Sequence, residues 1–364
     1  MDTEPAAAAI LEIDLAAIVA NWQALRARHA GAVGAVVKAD GYGLGAAITA
    51  PALHAAGCRH FFVAHLAEAI ALRPLLPGAM IAALNGPLPG EEDAYRAHDI
   101  RPVLGSLAQV EAWSGCAGRW GRRLSALLHV DTGMSRLGLA AGELAALAAE
   151  PGRLGGLDLC YVMTHLAAAE RPQAQSNARQ LARFRAACAA LPAAPTSLAN
   201  SSALFLGPGY GSDLARPGAA LWGINPTPGR ANPMRPGFRL SARVLQVRAI
   251  AAGEGVGYNA SFTAARPSRI ATVAWGYADG FHRAFSNRAR AFFDGRPLRL
   301  VGTVSMDLST FDATDHPRIG PGDWLELVGP HQSADDLADQ AGLSPYELLT
   351  SLGRRAARRI RGAE

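Results

Sequence analysis

From about residue 34 to residue 222 the sequence alternates short β-rich runs with longer Ala- and Leu-rich runs. The β-type runs fall at 34–39, 61–65, 80–85, 101–105, 126–131, 159–165, 197–201 and 216–222. Helical patterns lie between them at 46–56, 66–76, 91–98, 107–116, 142–149 and 173–191. Parallel strands need a long crossover, usually a helix, so such repeats fold as a parallel sheet with helices outside it. Eight of them predict an α/β fold, a closed TIM-like (β/α)8 barrel. A doubly wound open sheet is the alternative, because periodicity alone does not count barrel strands.

The pattern changes after Pro236. Runs at 240–251, 268–275, 298–305 and 324–327 are β-type, and Asp294-Gly295 and Gly320-Pro321-Gly322-Asp323 read as turns between them. This predicts a barrel domain over 1–236 and a mostly β domain over 237–364, with residues 1–14 able to pack with the second. The segment 223–237 carries Pro226, Pro228, Pro233 and Pro236 and reads as a linker. Residues 11–14 read as a short strand, and Asp14 can cap a helix over 15–29. A short helix at 334–341 and a basic helix from Ser344, its N-cap, close the chain.

Composition narrows the class. Half of the 364 residues are hydrophobic and 18% are charged, which suits a folded enzyme better than a disordered adaptor. The net charge is +5, but the arginines are scattered, with one dense run at 354–361. A nucleic-acid binder gathers its charge on one face, so no nucleic-acid partner is expected. Cys58, Cys116, Cys160 and Cys188 form no CxxC pair, which excludes a zinc signature and any expected metal. No basic, apolar leader and no run of membrane-spanning length is present, so a cytoplasmic enzyme is expected. Lys38 is the single lysine among 35 Lys and Arg residues. Arginine stays protonated, whereas a lysine amine can lose its proton and form a Schiff base. The one lysine therefore stands where chemistry can need an amine.

In a barrel the reactive side chains gather at the C-terminal ends of the strands. Lys38 ends the first run, Asp131 and Arg136 follow the fifth, His165 ends the sixth, and Asn200 and Ser201 end the seventh. Arg216 opens the eighth run, which fits this rule poorly. Residues 35–43 (AVVKADGYG) resemble the cofactor-lysine motif of the alanine racemase family. The likeness continues in order through 129–138 (HVDTGMSRLG), Met163-Thr164-His165, Ala199-Asn200-Ser201 and Arg216-Pro217-Gly218-Ala219. It runs on through 255–258 (GVGY), 276–280 (GYADG) and 302–307 (GTVSMD), covering nearly the whole chain.

The resemblance implies a pyridoxal-phosphate enzyme that interconverts L- and D-alanine. Lys38 would carry the cofactor as a Schiff base. Tyr42, Ser201 and the backbone N–H groups of Gly218 and Ala219 would hold its phosphate, with Asn200 beside them. Arg136 would contact the phenolic oxygen and the substrate carboxylate. Arg216 would face the pyridine nitrogen and disfavour its protonation. Lys38 and Tyr258 would be the two bases on opposite faces of Cα, with His165 and Arg216 supporting Tyr258. Family members are homodimers with shared sites, so Tyr258, Tyr277, Met306 and Asp307 would enter the partner's site. There Met306 would bind the substrate carboxylate and Tyr277 would narrow the entrance.

Three positions depart from the family pattern. His129 stands where many relatives have a lysine that can be carbamylated. Trp222 replaces the more usual tyrosine. The segment 352–360 lacks the tyrosine that touches the phosphate in some relatives. Other readings are a broader or serine racemase of the same fold, a related decarboxylase, or a non-catalytic pyridoxal-phosphate carrier. Arg216 argues against the decarboxylase, which would place an acid at the ring nitrogen. The second domain argues against the carrier.

Overall fold

The computed structural model describes residues 7–362. They divide into two compact units. One comprises Val19–Leu221 and Asn225–Met234. The other comprises residues 7–18, Trp222–Ile224 and residues 235–362.

The first unit is the expected barrel. Its parallel strands are Ala32–Val33 with Ala35–Val36, His60–Val63, Met80–Ala83, Arg101–Leu104, Leu124–His129, Leu157–Met163, Thr196–Ser197 and Leu214–Ala215. Gly34 splits the first strand, and its two halves close the ring. Ala32–Val33 pairs with Leu214–Ala215, and Ala35–Val36 pairs with Phe61 and Phe62. The Gly34 N–H donates to Ala215 O at 2.9 Å, and the Val36 N–H donates to Pro217 O at 2.9 Å. Val36, Phe62, Ala82, Val103, Leu127, Met163 and Leu214, one from each of seven strands, form a buried cluster. Each large apolar side chain buried there contributes about 1.5–3 kcal/mol. The remaining strand supplies Ser197, whose buried hydroxyl donates to Leu214 O at 2.7 Å. That bond lets a polar group sit in an apolar wall.

The second unit is mostly β, as expected. Its long strand Phe238–Ile250 is antiparallel to Ala9–Asp14 on one edge and to Trp324–Val328 on the other. Beyond a register shift at Val244/Gln246, the same strand pairs with Ser268–Val273, which in turn pairs with Ser309–Asp312. Asp294 (φ 48°) and Gly295 (φ 73°) turn the hairpin Arg290–Phe293 to Arg296–Arg299. Positive φ at both centres matches the right-handed twist of the flanking strands. Asp14 caps helix Leu15–Arg26, accepting from the Ala17 N–H at 2.8 Å. Ser344 caps Pro345–Ser351 through the Tyr346 N–H.

Four local expectations are corrected. The eighth barrel strand is Leu214–Ala215, and 219–222 is a 3-10 turn rather than strand. The seventh strand is Thr196–Ser197, so only Ser197 of the seventh run is strand, because residues 200–206 turn away. The run 298–305 is mostly loop, whereas Ser309–Asp312, not singled out, is strand. The basic tail is a helix only to Ser351. Ala357–Arg361 is a strand parallel to Ala9–Asp14, a long-range pairing that local sequence does not encode.

Candidate active site

Lys38 follows the first barrel strand and opens a left-handed turn. Ala39 (φ 53°, ψ 47°), Asp40 (54°, 51°) and Gly41 (63°, 41°) are followed by Tyr42 at φ 55° and Gly43 at φ 85°. Each non-glycine residue held there costs about 1–2 kcal/mol. Hydrogen bonds offset that cost. A Glu68 carboxylate oxygen accepts from the Ala39 N–H at 2.6 Å. The Asp40 carboxylate accepts from the Ala46 N–H at 2.8 Å, and Asp40 O accepts from the Gly45 N–H at 2.8 Å. Bonds to charged acceptors stabilise by about 1.5–3 kcal/mol each.

This turn brings Tyr42 against the loop after the eighth strand. A Cβ on Gly218 would overlap the Tyr42 hydroxyl, so any side chain there must displace Tyr42. The Ser201 hydroxyl accepts from the Gly218 N–H at 3.0 Å and the Ala220 N–H at 3.3 Å. Between them, the buried Ala219 N–H has no acceptor among the described residues. A buried orphan N–H is uncommon and marks a place for an acceptor oxygen from outside the chain. Burial pushes the Tyr42 hydroxyl up to about 12, so it keeps its proton at neutral pH. The Asn200 amide donates to Leu166 O and accepts from the Ala203 N–H.

Arg216 follows the eighth strand, which removes the poor fit to the strand-end rule. It is 4% exposed and is held by the Ser197 hydroxyl and Thr164 O, each at 2.5 Å. Burial lowers it to about 10, which leaves it charged at neutral pH. Its charge is felt by two imidazoles. Burial first, then Arg216, brings His129 down to about 4. Burial first, then Arg216, Arg136, His129 and Lys38, brings His165 down to about 3. Both rings are therefore neutral at physiological pH. Lys38 is lowered by burial and by Arg136, while Glu68 opposes them. Arg136 follows a turn fastened by Asp131, whose carboxylate accepts the Gly133, Met134 and Ser135 N–H groups. Buried Gln180 donates to the Thr132 hydroxyl and to His165 O, which joins the fifth and sixth strand ends. Lys38, Tyr42, Arg136, His165, Ser201, Arg216, Gly218 and Ala219 thus form one constellation at the barrel's strand ends.

Tyr258, Tyr277, Met306 and Asp307 belong to the other unit. Tyr258 follows Gly257 (φ 74°) and is 68% exposed. The Tyr277 N–H donates to Ser305 O at 3.0 Å and the Ala278 N–H to Met306 O at 2.9 Å, so the two loops are one piece. The exposed Met306 presents an N–H that has no acceptor among the described residues. Arg355 bridges Asp279 at 2.6 Å and Asp307 at 2.7 Å. Glu68, Gln180 and Arg355 were not singled out from sequence, because a polar residue on a helix or tail carries no mark of its distant partner. Among the described residues no group of three or more His, Cys, Asp or Glu side chains could hold a metal ion. No described helix is long and apolar enough to cross a membrane.

Fold and site together define a barrel protein with one lysine at its mouth beside an orphan N–H and a buried arginine. The family pattern for the alanine racemase N-terminal domain matches residues 13–226, and that for the C-terminal domain matches 238–360. The alanine racemase of Acidiphilium cryptum is 59% identical over 351 residues, covering 96% of this chain and 98% of that one. That of Rhodospirillum rubrum is 49% identical over 367 residues, covering 100% and 98%. Among solved structures, the Bartonella henselae alanine racemase with covalently bound pyridoxal phosphate aligns with a TM-score of 0.95 at 43% identity, covering 97% of this chain and 99% of that one. This chain belongs to the alanine racemase family.

Proposed function

We propose that this chain interconverts L- and D-alanine with pyridoxal phosphate held on Lys38. The observation that carries the reading is Lys38 itself, the chain's only lysine, at the barrel mouth, where Arg136 acts on it and buried Arg216 acts with it on His165. The residues present fit the cofactor. The lowered Lys38 amine suits an aldehyde. The Tyr42 and Ser201 hydroxyls and the Ala219 N–H suit a phosphate, and Gly218, lacking a side chain, lets the Tyr42 hydroxyl approach this loop. When bound, pyridoxal phosphate withdraws electrons from substrate Cα and loosens its proton.

The chain's own residues would do the rest. Arg216, charged and facing the ring nitrogen, would keep a proton off that atom. Arg136 and the N–H of Met306 of the partner subunit would hold the substrate carboxylate. The Lys38 amine would take or return the Cα proton on one face, and Tyr258 of the partner subunit would do so on the other. Neutral His165 can accept a hydrogen bond from a phenol, and charged Arg216 beside it favours loss of that phenol's proton. The site would then be shared by the two chains of a cytoplasmic homodimer that supplies D-alanine for cell-wall synthesis.

Borohydride reduction of the purified protein should fix pyridoxal phosphate to the peptide bearing Lys38. A panel of L-amino acids should show racemisation of alanine foremost. Cofactor fixed elsewhere, or no racemisation of alanine, defeats the reading.

A further inference from the structure

We propose that Glu68 is the positioning residue for Lys38, tying the peptide that follows the amine-bearing residue to the end of the second barrel strand. The inference rests on Lys38 being the cofactor-bearing residue. One oxygen of the Glu68 carboxylate accepts the Ala39 N–H at 2.6 Å. The other accepts the Ala64 N–H at 2.8 Å and the His65 N–H at 3.1 Å. Ala64 and His65 directly follow strand His60–Val63. The Ala39 N–H shares a peptide plane with the Lys38 carbonyl, so fixing it fixes the last backbone torsion of Lys38. That matters at this point because the next four residues are left-handed, and three of them, Ala39, Asp40 and Tyr42, are non-glycine and so strained. Three N–H groups on one carboxylate hold it where its charge raises the Lys38 amine against the lowering by burial and Arg136. Glu68 thus sets where the amine stands through the backbone and how readily it holds its proton.

The single lysine makes this measurable. Reductive methylation with isotopic carbon labels Lys38 and the terminal amine, so the Lys38 titration can be followed by NMR after the cofactor is removed. Cofactor affinity is read on the full-length protein by absorbance titration with pyridoxal phosphate. Glu68→Gln should move the Lys38 titration to lower pH. It should also weaken cofactor binding by roughly tenfold, as expected for one lost charge-assisted hydrogen bond. Cofactor binding as tight as in the unaltered protein overturns the proposal, whatever the titration shows. If Glu68→Gln does not fold, Glu68→Asp decides. Its charge is kept but its reach is one methylene shorter, so affinity should again drop about tenfold, and unchanged affinity refutes the role. Borohydride labelling of the unaltered protein separates the two ideas. No label on Lys38 defeats the parent reading, whereas a normal label with unaffected Glu68 variants defeats this one alone.

Discussion

His129 and His165 show what burial among arginines does to a titratable side chain. Both are neutral in the folded chain, at about 4 and about 3, against 6.5 for a free imidazole. The unfolded chain therefore binds protons first as pH falls. The stability tied to these neutral rings is fully present above pH 6.5. It declines below that and is lost as pH falls through about 4 for His129 and about 3 for His165. Within that window each ring changes stability by up to about 1.4 kcal/mol per pH unit. Cofactor-free protein should therefore lose urea resistance between pH 6.5 and 5, above the range in which free carboxylates titrate. His129→Gln should flatten that slope by close to one proton. An unchanged slope would show that His129 is already charged in the folded chain.

At the scale of an element, the loop after the eighth strand decides more than any strand does. Leu214–Ala215 is only two residues long, but it ends the ring and releases Arg216, Gly218 and Ala219 at the mouth. The close approach there is between a glycine and a hydroxyl on the left-handed turn. Gly218→Ala should weaken pyridoxal phosphate binding about tenfold or more, because the added methyl must displace Tyr42. Adding Tyr42→Phe removes the clashing oxygen. The double variant should then lose less than the product of the single losses, as contacting residues do in a double-mutant cycle. Strictly additive losses would place the two residues apart.

Over the whole molecule, the two proposed bases are divided between two units. Lys38 lies in the barrel, and Tyr258 lies in the β unit with 68% of its surface exposed. Met306, Tyr277 and Leu308 in the same unit are 54%, 42% and 38% exposed. Exposed apolar groups on loops in this way favour a covering surface, and in the proposed homodimer a second copy would supply one. If the site is shared, Lys38→Ala and Tyr258→Phe proteins, each nearly inactive, should regain activity when mixed under conditions of subunit exchange. A random mixture carries one intact site in half of its dimers, so about a quarter of normal activity is the ceiling. Proven exchange without recovery would place both bases on one chain.

The sequence by itself determined the class of fold, because helix and strand periods are local and eight repeats leave few ways to bury both faces of a parallel sheet. It also marked Lys38, whose residue type is unique in the chain, and the glycine at 218. It did not determine where the eighth strand ends, that the basic tail pairs as a strand with Ala9–Asp14, or that Glu68, Gln180 and Arg355 act at the sites they support. Those depend on pairings between segments that lie tens to hundreds of residues apart. Hydrogen-bond partners at such distances are chosen by the packing of the whole chain, and only the tertiary structure contains that choice.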